Sequence, residues 1–91
     1  MVFAKRLREG VMRGEITCSV RIWRSPRVKV GGRYPLGPGV VQVTSIHEIG
    51  LQDITPQLAR RCGFQGVVDL LKVARHGSGE KVYLVDFEYL A

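Results

Sequence analysis

Side chains that could do chemistry alternate along positions 14–23, Gly-Glu-Ile-Thr-Cys-Ser-Val-Arg-Ile-Trp. The members of one parity are polar or aromatic: Thr17, Ser19, Arg21 and Trp23. Because successive side chains of a strand point to opposite faces, the pattern predicts a half-buried strand with an apolar face in the core. Its other face would carry two hydroxyls, a guanidinium and an indole, which can form hydrogen bonds, bind an anion and stack on a base. A solvated polar face is the alternative.

The charge balance suggests what such a face could bind. The chain has 14 lysine and arginine residues against 8 acidic ones, a net charge of +6. Such an excess favours nucleic acid, because each phosphate neutralised releases counterions. We expect Arg21 to hold a phosphate or a base edge, and Trp23 and Tyr34 to stack on bases. Four more cations would form a basic rim: Arg24, Arg27, Lys29 and Arg33.

Each of these roles has a structural alternative. Arg21 could brace the fold through a salt bridge to Asp69 or Glu48, and Trp23 could be a core residue. The basic rim could be a solvated loop on a protein that is merely basic.

Other classes of function have little support. Cys18 and Cys62 are too few for a disulfide framework, and we expect both to be buried as small hydrophobic side chains. His47 and His76 lack metal-ligand spacing with either cysteine, so no metal site or cofactor is expected. No apolar run approaches the roughly 20 residues that cross a bilayer, and the first residues lack the apolar core of a secretory signal. We expect a cytoplasmic protein without a membrane partner.

Ninety-one residues form a single domain, 1–91. Apolar residues every four positions predict an amphipathic helix of about three turns that ends near Gly14. Short extended segments are predicted at 28–30 and 33–36, with longer strands at 40–49 and 81–89. Thr55 followed by Pro56 predicts a helix start, and Gly63 its end, with a further helix after position 66.

In the strand at 40–49 one parity comprises Val41, Val43, Ser45 and His47. The other parity is also partly apolar, which is typical of a strand inside a small barrel. The element order therefore predicts an α+β fold, with a small curled sheet or barrel closed by helices.

Several short motifs make the chain resemble the ASCH family. Gly14, Thr17 and Arg21 match the family's first-strand signature. Ser19 stands where the family has a threonine or a glutamate, and it keeps the hydroxyl of the threonine. Ile16 stands where the family has a lysine. Further similarity lies at 29–32, 40–54 and 82–87.

The resemblance implies a PUA-like β-barrel of five to six strands with two or three helices, and a cleft suited to RNA or a nucleoside. One branch of the family contains a small amidohydrolase of N4-acylated cytidines. By that likeness Ser19 and Thr17 would occupy the hydroxyl slots and Asp69 the acidic slot. The lysine that activates the nucleophile is replaced by Ile16, and a serine without an activating group is a poor nucleophile.

Three functions are therefore considered. The first is an RNA- or nucleoside-binding module with a basic cleft. The second is a small hydrolase, either an amidohydrolase of a modified nucleoside or a ribonuclease. The third is a protein–protein adaptor.

Overall fold

The computed structural model describes residues 1–74 and 79–91, so that His76 lies outside the described residues. Its elements in chain order are α1 (Lys5–Met12), β1 (Cys18–Trp23), β2 (Arg33–Leu36), β3 (Gly39–Ile49), a 3-10 turn (Leu51–Asp53), α2 (Pro56–Arg61), α3 (Val67–Ala74) and β4 (Lys81–Leu90). The predicted α+β class is confirmed.

The described strands form one antiparallel sheet of four strands, in the order β1-β4-β3-β2. The sheet curls into a half-barrel, and a closed barrel of five or six strands is not confirmed. The strand predicted at 28–30 is wrong, because the chain turns there. The amide of Gly32 donates to the carbonyl of Lys29 at 2.9 Å, and Gly31 has a φ of +82°.

A β-bulge changes the faces of β3. Val43 pairs with Phe87 and Ser45 pairs with Asp86, so Thr44 is an extra residue between two consecutive pairs. An extra residue reverses the alternation of side chains beyond it. The prediction that Ser45 shares a face with Val41 and Val43 is therefore wrong, and the same holds for His47.

Helices and the N-terminal segment bury both faces of the sheet. On one face, α2 and α3 pack against Cys18 and Val20 through residues such as Leu70. On the other, inner face lie two clusters, the first comprising Trp23, Val28, Val43, Tyr83 and Val85, and the second Phe3, Val11, Val41 and Phe87. Thus the face of β1 predicted to be polar points into the half-barrel.

Local signals fix the helix ends as predicted. The amide of Leu58 donates to the hydroxyl of Thr55 at 3.1 Å, and Pro56 occupies the first turn of α2. Gly63 follows the helix with a φ of +90°, and Gly14 follows α1 with a φ of +76°. In this left-handed region glycine avoids the steric penalty of a Cβ. α1 is shorter than predicted, with 8 residues.

Candidate ligand-binding site

Arg21 is the central residue of the candidate site. It lies on β1 with only 6% of its surface exposed. Its Nε donates a hydrogen bond to Oγ of Ser19 at 2.8 Å, and its guanidinium carbon lies 5.2 Å from the centroid of the Phe3 ring. β1 therefore presents the cation on the inner face of the sheet, and the segment before α1 covers it.

Arg21 lies in the lining of two cavities. The larger, of about 220 Å³, lies between the N-terminal segment, β1 and α3, and its lining includes Ser19, Arg21 and Phe64. The smaller, of about 170 Å³, is lined by Arg21, Trp23 and Arg27, among others. Val2 lines both. A ligand in either cavity would therefore lie against this residue.

Burial gives this guanidinium an unusual electrostatic character. Removal from water lowers the pKa of Arg21 to about 10. The group is still protonated at neutral pH, and its positive charge is poorly solvated. A charge held in a region of low dielectric interacts more strongly with an anion than a charge at the surface does.

Trp23 shares the inner face with Arg21, as the alternation predicts. Only 3% of its surface is exposed, and its ring lies 6.1 Å from that of Tyr83 at an interplanar angle of 38°. The indole is thus a core residue that also lines the smaller cavity.

The predicted basic rim is solvent-exposed. Exposed cations follow β1 and reach into β2: Arg24, Arg27, Lys29 and Arg33. Between Ile16 and His47 the sequence contains no aspartate or glutamate. The hydroxyl of Tyr34 accepts a hydrogen bond from the amide of Lys29 at 3.1 Å, so this ring holds the rim loop in place.

The three residues suggested as catalytic are not gathered in one place. Thr17 is exposed before β1, and its carbonyl accepts from the amide of Phe87 at 3.0 Å. Asp69 lies in the first turn of α3, where Arg6 donates to its carboxylate at 2.7 Å. This hydrogen bond lowers the pKa of Asp69. Of the three, only Ser19 lines the larger cavity.

The surroundings of Ser19 favour hydrogen bonding over nucleophilic attack. A guanidinium has no lone pair with which to take a proton, so Arg21 cannot act as the base that a serine nucleophile needs. Ile16, in the lysine slot, packs against the core instead. Among the described residues no group of three His, Cys, Asp or Glu side chains could hold a metal ion.

Two contributors to this region were missed in the sequence. Phe3 is the first residue of the four-residue apolar repeat (Phe3, Leu7, Val11) that predicts α1, yet it lies before the helix and its ring contacts the guanidinium of Arg21. Val2 lines both cavities. The apolar Met-Val-Phe-Ala start is a weak signal, because such a segment packs equally well anywhere on a core.

Comparisons with protein-family models, curated proteins and solved structures found no match to this chain. Among the described residues, no helix combines the length and apolar character needed to span a bilayer.

Proposed function

We propose that this domain binds single-stranded RNA, with one nucleotide entering the inner face of the half-barrel at Arg21. The observation that carries the proposal is a positively charged arginine, Arg21, that is only 6% exposed and lines two cavities. A phosphate accepts charge-assisted hydrogen bonds from a guanidinium, and the edge of a base can also accept hydrogen bonds from it. The indole of Trp23 would contact the base.

The basic rim would hold the phosphates on either side of that nucleotide. Its four exposed cations lie in a segment of 32 residues without acids, from Ile16 to His47. For a single strand, the slope of log affinity against log salt concentration is about −0.7 per phosphate contacted. Binding through four phosphates therefore weakens by about 50-fold between 50 and 200 mM salt. The resemblance to the ASCH family supports the same class of ligand. We include in the proposal that the half-barrel is related to the PUA-like barrel of that family.

Binding is preferred over hydrolysis because of what contacts Ser19. The hydroxyl accepts a hydrogen bond from the Arg21 guanidinium at 2.8 Å, which reduces its capacity to attack. Its role in this proposal is to orient Arg21 and to donate its own hydrogen to the ligand.

The test is fluorescence anisotropy with a labelled single-stranded RNA of about ten nucleotides, within the range of site sizes of small single-strand-binding folds. We expect the double variant Lys29→Gln/Arg33→Gln to reduce the slope of log affinity against log salt concentration by about 1.4. Its affinity should then fall only about sevenfold between 50 and 200 mM salt. The matched control is Arg13→Gln on the exposed end of α1, which removes a cation outside the rim. Equal slopes for the double variant and the wild type, or no binding at low salt, would refute the proposal.

A further inference from the structure

Two cysteines that are far apart in the sequence meet in the core. Cys18 begins β1, and Cys62 is the residue that caps the C-terminal end of α2. Their Sγ atoms lie 3.1 Å apart, and the two residues have 0% and 1% of their surface exposed. The proposed RNA site uses neither sulfur, so the contact calls for a separate explanation.

This arrangement is a thiol pair poised for oxidation. A disulfide needs its sulfurs about 2.0 Å apart, so an approach of about 1 Å converts the contact into a bond. Either thiol can donate in the hydrogen bond between the two sulfurs. This hydrogen bond lowers the pKa of Cys18 against the opposing effect of burial, and the positive charge of Arg61 also lowers it. The same hydrogen bond raises the pKa of Cys62. Within the pair, ionisation of Cys18 is therefore favoured over ionisation of Cys62, which suits an attacking and a resolving cysteine.

We propose that Cys18 and Cys62 form an intramolecular disulfide between β1 and α2 when the protein meets a peroxide. The Cys18 thiolate attacks one peroxide oxygen, the O–O bond breaks, and the departing hydroxide takes a proton to become water. Cys18 is then a sulfenic acid, oxidised by two electrons. The Cys62 sulfur loses its proton and attacks the Cys18 sulfur, which expels the oxygen as a second water. In total, two thiols and one hydrogen peroxide give one disulfide and two waters.

Burial determines which oxidant can act. Because both sulfurs lie inside the core, a reagent reaches them only through local opening of the structure, and hydrogen peroxide requires a smaller opening than a bulky thiol reagent does. The adjacent resolving sulfur traps the sulfenic acid before further oxidation. The bond would tie α2 to the strand that carries Ser19 and Arg21, and would close a long loop in the unfolded chain.

The experiment treats the reduced wild-type protein with hydrogen peroxide and measures intact mass, free thiols under denaturing conditions, and melting temperature. We expect loss of two hydrogens, no remaining thiol, a peptide linking Cys18 to Cys62, and a rise in Tm of at least about 5 °C that dithiothreitol reverses. Two thiols still titratable after treatment would overturn the proposal, as would cross-linking between molecules or oxidation to sulfinic acid.

A variant separates the two steps. Cys62→Ala removes the resolving sulfur, so we expect peroxide to leave a sulfenic acid on Cys18 that dimedone traps. The wild type under the same treatment should give no dimedone adduct. An adduct on the wild type as strong as that on the variant would show that the sulfurs do not join. The wild-type measurements need no variant and remain decisive if Cys62→Ala fails to fold.

Discussion

Replacing Arg21 by methionine tests whether the buried guanidinium stabilises the fold or is retained for binding. Burial lowers the pKa of this group from its ordinary value to about 10. Since each pKa unit corresponds to about 1.4 kcal/mol, the charged form loses roughly 3 kcal/mol of stability by being buried. The group is protonated in both the folded and the unfolded chain at pH 7. Its cost is therefore present at neutral pH, and is relieved only as the pH rises above about 10.

Contacts made by the guanidinium offset part of that cost. A cation–π contact such as that with Phe3 is worth about 0.5–2 kcal/mol, and a hydrogen bond from a charged group about 1.5–3 kcal/mol. Methionine keeps an unbranched stem over the ring and carries no charge. We therefore expect Arg21→Met to change the free energy of unfolding by less than about 1.5 kcal/mol. Arg21→Ala loses the stem as well, about three methylenes, and should be about 2 kcal/mol less stable than Arg21→Met.

The assay is urea denaturation at pH 7, which yields both the free energy of unfolding and the m-value. Arg13→Met, an exposed arginine that pairs with Glu9 on α1, is the matched control and should change stability by less than about 0.5 kcal/mol. If Arg21→Met costs more than about 3 kcal/mol, comparable with the loss of a core side chain, Arg21 is a structural brace and the reasoning is wrong.

Further predictions concern the scaffold. Thr55→Ala removes the cap of α2 and should lower the free energy of unfolding by about 1 kcal/mol in urea denaturation. Gly79→Ala should lower it by about 1–3 kcal/mol, because a Cβ there would clash with the backbone of Trp23 and Arg24. The hydrogen bond from Arg6 lowers the pKa of Asp69, so this pair stabilises the fold above the usual aspartate pKa of about 3.9 and is lost as the pH falls below it. Asp69→Asn should therefore show a shallower loss of Tm between neutral and acidic pH than the wild type.

Each of these has a clear contrary result. An unchanged stability for Thr55→Ala would mean that water caps the helix equally well. A stable Gly79→Ala protein would mean that β4 can move away from the end of β1. If Tm falls equally with decreasing pH in Asp69→Asn and in the wild type, the contact with Arg6 does not contribute to stability in solution.

Much of the fold follows from local pattern. The alternation around Ser19 and Arg21 identifies β1 and the common face of its polar residues, and the Thr55–Pro56 pair marks the start of α2. These signals act within one turn or one strand, so neighbouring residues are sufficient to determine them.

Features that depend on distant residues were not predictable in this way. Nothing near Thr44 in the sequence marks it as a bulge, because the bulge arises from pairing with β4. The meeting of Cys18 with Cys62 depends on how α2 packs against the sheet. For the same reason the alternation showed that Arg21 points to the inner face, but not that Phe3 covers it.

The most direct test of the central claim is the affinity of Arg21→Met for labelled single-stranded RNA at 50 mM salt, the low-salt condition at which phosphate contacts contribute most. We predict binding at least about tenfold weaker than that of the wild type, the loss of roughly 1.4 kcal/mol or more expected for a charge-assisted hydrogen bond. The variant should remain folded, with its melting temperature within about 10 °C of that of the wild type, as a change of less than about 1.5 kcal/mol implies. A folded Arg21→Met protein that binds RNA as tightly as the wild type would contradict the account.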